Sequence, residues 1–155
     1  MPPSPRRLAT VPLLAPLLVA GLLLSGCSSA VEVAIPPEAD HEACVAASER
    51  WPDEVKGQSG GETDPSDPAV ATWGEPPIVA RCGMPPLGPT EDECVVVDGI
   101  DWVAEDLDDG TRLTTFGRDP AIEVIVPQEH DPAPLILPAF SDAATQLPRT
   151  DYACS

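Results

Sequence analysis

Positive charge is the scarcest commodity in this sequence. Its 155 residues hold 8 lysines and arginines against 26 aspartates and glutamates, for a formal charge of −18. Lys56 is the single lysine, and asparagine does not occur. A nucleic-acid-binding surface needs a basic face that displaces counterions from phosphates, and an acidic chain offers none. Aromatic residues make up only 4%. There is no internal repeat, which excludes a collagen-like or coiled-coil rod. No Cys-x-x-Cys occurs, and His41 three residues before Cys44 is too little for a zinc site. What the chain does have is 21 prolines, five cysteines and 43% hydrophobic residues. That apolar share is too high for a wholly disordered chain.

The charge is unevenly placed. Residues 1–26 contain Arg6 and Arg7 and no acid, followed by an apolar run from Leu8 to Leu24. Without them the remainder has 6 basic against 26 acidic side chains, a charge of −20. A basic start, an apolar stretch and a small-residue exit read as an export signal. The run is 17 residues long and contains Pro12 and Pro16. That is short for a membrane span, which needs about 20 residues. The exit, Leu24-Ser25-Gly26-Cys27, resembles the bacterial lipobox. There the cysteine thiol accepts a diacylglyceryl group and the signal is cut just before it. Pro5 ahead of Arg6-Arg7 favours the general secretory route over the twin-arginine route. The expected organisation is therefore a signal peptide over 1–26, a lipidated tether over 27–37 and one domain over 38–155.

With Cys27 assigned to lipid, Cys44, Cys82, Cys94 and Cys154 remain. An even number in an exported chain reads as two disulfides. Four cysteines allow three pairings. The expected one joins Cys82 to Cys94 and Cys44 to Cys154, a local loop plus a long closure.

Glu38 to Trp51 reads as a helix, with Ala39, Ala43, Cys44, Ala47 and Trp51 on one stripe and Pro52 as its stop. Asp53 to Pro68 reads as a loop. It contains Gly57-Gln58-Ser59-Gly60-Gly61, a match to the Gly-x-Ser-x-Gly of serine hydrolases without the apolar strand that motif requires. Ile78 to Arg81 is a short strand. Cys94 to Val97 and Ile100 to Ala104 flank Asp98-Gly99, a strong hairpin signal that sets Val97 opposite Ile100 and Val95 opposite Trp102 as core. Glu105 to Gly110 reads as an acidic turn whose spacing fails the calcium-loop pattern. Thr111 to Phe116 and Ala121 to Val126 are further strands. Leu135 to Leu147 reads as a second helix, striped by Leu135, Ala139, Phe140, Ala143 and Leu147. The sum is an α+β domain: an antiparallel sheet of four or five strands with an N-terminal and a C-terminal helix and two disulfides.

Three strings stand out: Ala71-Thr72-Trp73-Gly74-Glu75-Pro76-Pro77-Ile78-Val79-Ala80-Arg81-Cys82-Gly83; Val97-Asp98-Gly99-Ile100-Asp101-Trp102; and Thr114-Thr115-Phe116-Gly117-Arg118 followed by Ala121-Ile122-Glu123-Val124. Together they resemble the actinobacterial exported proteins of domain-of-unknown-function family 3515, over about Pro36 to Cys154. The resemblance implies a secreted or lipid-anchored envelope protein, and it implies no activity, catalytic residue or cofactor.

Candidate binding residues follow from scarcity. Arg81 and Arg118 stand in strand-bordering motifs of a chain with few cations, near Trp73 and Trp102. One reading pairs each arginine with an acid such as Glu75, Asp101 or Glu123 and puts each tryptophan in the core. The other gathers the four into a groove where arginine reads an anion. No residue pattern nominates a catalytic group, a metal or a cofactor. The expected protein is a non-enzymatic binding or assembly module, held by lipid on the extracellular face of the cytoplasmic membrane. Its partner would be an envelope protein or cell-wall component. The alternative is a small envelope hydrolase or cell-wall processing enzyme.

Overall fold

A computed structural model describes residues 29–155. The signal segment and Cys27 lie outside the described residues. In chain order the elements are β1 (Val31–Glu32), α1 (Glu42–Ser48), β2 (Glu54–Val55), β3 (Gln58–Ser59), β4 (Thr63–Asp64), β5 (Val70–Trp73), β6 (Ile78–Met84), β7 (Glu93–Val97), β8 (Ile100–Leu107), β9 (Gly110–Thr115) and β10 (Ala121–Pro127). Two 3-10 helices, Gln128–His130 and Ala133–Phe140, lead into α2 (Ser141–Ala144).

The fold is mostly sheet. Six strands form one antiparallel sheet in the order β5-β6-β10-β9-β8-β7. The chain makes the β5–β6 hairpin, crosses to the far edge at β7, and returns strand by strand until β10 docks beside β6. The sheet therefore has six strands rather than the expected four or five, because β5 extends it on the far side of β6.

Alternation assigns the two faces. Ile78, Ala80 and Cys82 of β6, Ile122, Val124 and Val126 of β10, Leu113 of β9 and Ile100 and Trp102 of β8 point to one side and are buried. Each large apolar side chain so buried contributes about 1.5–3 kcal/mol. Helices α1 and α2 and the longer 3-10 helix cover this face with Ala43, Cys44, Ala47, Leu137, Phe140 and Ala143, joined by Leu147 just after α2. Trp51, Trp73 and Phe140 meet edge to face within it, with centroids 5.4–6.5 Å apart.

The hairpin at Asp98-Gly99 has the expected register, Val97 opposite Ile100 and Val95 opposite Trp102. Asp98 and Gly99 take φ of +51° and +74°, the turn that matches strand twist and that glycine accepts without strain. Ile100 and Trp102 are fully buried, while Val95 and Val97 are half-buried at the sheet edge.

Other expectations need correction. The first helix is shorter, Glu42–Ser48; its predicted stripe does face the core, and His41 caps it by accepting the Ala43 N–H on Nδ1 at 3.1 Å. The C-terminal helix is 3-10 from Ala133 to Phe140. Pro138, inside it, supplies no N–H for an α-helical ladder. Leu135, expected on the buried stripe, is 72% exposed. The acidic segment after Ala104 continues as strand to Leu107, and only Asp108-Asp109 turn. The polar segment 53–68 holds a small hairpin, β2–β3, and β4. The last pairs in parallel with β1, inside the segment read as tether, where Val33 is buried.

The disulfides join Cys44 to Cys82 and Cys94 to Cys154, with Cα–Cα distances of 5.4 and 5.8 Å. This overturns the expected pairing. Cys82 points to the helix-covered face and Cys94 to the opposite one. Their strands are four positions apart in the sheet, about 19 Å at the usual strand spacing. Cys82 instead meets α1, and Cys94 meets the C-terminal tail.

Candidate functional site

The four candidate binding residues do not form one groove. Trp73 and Trp102 are core, 2% and 0% exposed. The Trp73 indole donates to the Pro52 carbonyl at 2.9 Å. The Trp102 Nε1 has no partner among the described residues.

Arg81 lies on the face away from the helices. It donates through Nε to Glu123 Oε1 at 2.8 Å, and its Nη2 is 2.8 Å from the same oxygen. Arg112 donates to Glu105 Oε2 at 2.8 Å, and its Nε lies 3.3 Å from Glu123 Oε2 without hydrogen-bond alignment. These groups form an ion-pair row across β6, β10, β9 and β8. The structural reading of Arg81 therefore holds, with Glu123 as the acid.

Arg118 differs. It follows β9 at the end of the sheet, and the residue is only 6% exposed. Its Nη1 donates to the Leu147 carbonyl at 2.7 Å, and among the described residues it makes no ion pair. The tail segment 148–150 runs antiparallel beside 117–119. Asp119 N–H donates to the Pro148 carbonyl at 3.2 Å and Thr150 N–H to the Gly117 carbonyl at 3.0 Å. This bridge sets Arg118 directly opposite Arg149. Burial first, then the neighbouring Arg149, lower the Arg118 pKa, and Asp101 opposes them.

A pocket of about 190 Å³ opens there, lined by Asp101, Arg118, Arg149, Asp151, Phe116 and Tyr152 among others. The Phe116 and Tyr152 rings stack at 5.8 Å. Cys154 N–H donates to Asp101 Oδ2 at 3.0 Å, and the Cys94–Cys154 disulfide ties the tail beside the pocket. Arg149 escaped the sequence reading. The signal that singled out Arg118, a rare cation, applies equally to Arg149, but no strand pattern surrounds it.

A larger groove of about 720 Å³ runs along the edge strand β5, between Trp51, Asp53, Glu62, Asp67 and Thr72. Its ionisable walls are acidic. Ser59, the serine of the Gly-x-Ser-x-Gly match, is exposed in the two-residue strand β3 and has no hydroxyl hydrogen bond among the described residues. His130 contacts the Pro76 carbonyl through Nε2 at 2.8 Å, and its own carbonyl accepts from Lys56 Nζ at 2.7 Å. It serves to lock the loop after β10 to the turn after β5.

Residues 8–151 match the family described as protein of unknown function DUF3515. The chain belongs to this family. No curated protein and no solved structure matches it. The three strings that carry the resemblance occupy defined places in this DUF3515 member. The first forms β5 and β6, the second the β7–β8 turn, and the third β9, the wall of the arginine pocket and β10. Gly117 has φ of +68°, and a Cβ there would collide with the Tyr152 carbonyl. The glycine of the third string thus admits the tail that brings Arg149 to Arg118. Among the described residues no helix is long and apolar enough to cross a membrane.

Proposed function

We propose that this DUF3515 protein is a lipid-anchored component of the cell envelope. Its domain works outside the cytoplasmic membrane as a non-enzymatic binding or assembly module. The observation that carries the reading is the partition of the cysteines. Cys44, Cys82, Cys94 and Cys154 are consumed in two disulfides, consistent with an oxidising compartment. The fifth, Cys27, follows Leu24-Ser25-Gly26 at the end of a basic and apolar leader.

The charge supports an anchor. A domain near −20 is repelled by an anionic membrane surface within about 8 Å, the Debye length at physiological salt. It has no electrostatic means of staying at the membrane, whereas two or more acyl chains hold stably at about 0.8 kcal/mol per buried CH₂.

The test is Cys27→Ala in the native host. The expected outcome is release of the protein to the medium or accumulation of the uncut precursor. Membrane retention at unchanged size would refute the anchor. Crosslinking in intact cells should recover an envelope protein or cell-wall fragment with the wild type, and recovery of none would count against the binding role.

A further inference from the structure

We propose that the pocket between Arg118 and Arg149 is a binding site for a carboxylate group on a small ligand or peptide. This rests on reading the domain as a binding module, and it is independent of the anchor.

Opposed like charges in an antiparallel pair destabilise it. Here two arginines face each other across such a bridge, in a chain with 26 acidic residues available to separate or neutralise them. The other side of the sheet shows the ordinary solution, where Glu123 sits between Arg81 and Arg112. No carboxylate takes that place between Arg118 and Arg149 among the described residues. An external one completes the pair.

The donors suit it. Of the five guanidinium N–H donors of Arg118, the Leu147 carbonyl takes one. Arg149 makes a long contact of 3.4 Å to the Gly99 carbonyl. Planar guanidinium forks match a carboxylate with two parallel hydrogen bonds. Burial of Arg118 strengthens any charge pairing made there.

The pocket also selects the anion. Asp101 and Asp151 line it beside the two arginines. Neither forms an ion pair with Arg118 or Arg149 among the described residues, and their negative charge opposes a phosphate dianion more than a monoanion. The stacked Phe116 and Tyr152 rings border the same space and offer apolar surface to whatever bears the carboxylate. The volume of about 190 Å³ limits the buried part to a small group.

The experiment is an NMR titration of the full chain, detergent-solubilised, ¹⁵N-labelled and with both disulfides formed. Sodium acetate is the probe and inorganic phosphate the comparison, at constant ionic strength. Acetate should produce saturable shifts at the Arg118 and Arg149 side-chain N–H resonances. Arg149→Gln should raise the acetate Kd about tenfold or more. Arg149 is exposed, so this variant keeps the fold. Arg118→Lys keeps the charge, loses the planar fork and should also weaken acetate.

Shifts that fail to saturate, or acetate binding unchanged in Arg149→Gln, overturn the site. Phosphate bound more tightly than acetate overturns the assignment to a carboxylate. A failed titration alongside Cys27-dependent membrane retention removes the site and leaves the anchor standing.

Discussion

Glu123 and Arg118 show two ways to bury charge in one small sheet. Glu123 is 4% exposed and has an arginine on each side. Arg118 is about as buried and has an arginine opposite it, a backbone carbonyl, and Asp101 nearby but not in an ion pair with it among the described residues. Removing one partner from a buried charge group costs more than making the pair gains, so the first arrangement is self-sufficient and the second is incomplete. Gly117 makes the second possible. Any side chain there must both adopt φ of +68° and push away the Tyr152 carbonyl. Gly117→Ala is expected to lower unfolding stability by about 1–3 kcal/mol. Its loss of hydrogen-exchange protection should concentrate in residues 149–153. A urea melt with exchange mapping checks this, and an unchanged tail would contradict the packing described.

The two disulfides hold different elements. Cys44–Cys82 fastens α1 to a central strand, across the core. Cys94–Cys154 fastens the tail to edge strand β7. In the chain-entropy account each closure restrains the unfolded chain by about 4 kcal/mol. Cys44→Ala with Cys82→Ala should therefore lower global stability by about 2–5 kcal/mol in urea unfolding of the remaining oxidised protein. Cys94→Ser with Cys154→Ser should in addition free the tail, seen as protease cutting within residues 149–155 under native conditions. Equal resistance to cutting in both double variants would contradict a tail held by its disulfide.

The same contrast explains what could be read from the chain. The β7–β8 hairpin was legible because Val95, Val97, Ile100 and Trp102 alternate around a two-residue Asp-Gly turn. The β2–β3 hairpin was not: its strands are two residues long, and its Lys56-Gly57 turn sits in a polar stretch. The last helix looked α-helical by its apolar stripe, but Pro138 removes an N–H group that geometry needs. Pairing of the cysteines depends on strand order and on which face each strand turns inward. Neither property is local. The arginine pocket was half legible, since Arg118 lies in a patterned strand end while Arg149 reaches it only through the tail.

At the scale of the whole molecule, residues 27–155 carry −20. The apolar core sits between the sheet and its helices. The arginine pocket lies at the end of the sheet, where β8 starts and β9 ends. Electrostatics keep such a body soluble and away from anionic lipid, so the proposed envelope role depends on the covalent anchor. The most direct measurement is the intact mass and N-terminal peptide mass of the protein extracted from native membranes. The account predicts a chain that begins at Cys27, with a diacylglyceryl thioether on its sulfur. A chain that retains residues 1–26, or one that carries an unmodified Cys27, would contradict it.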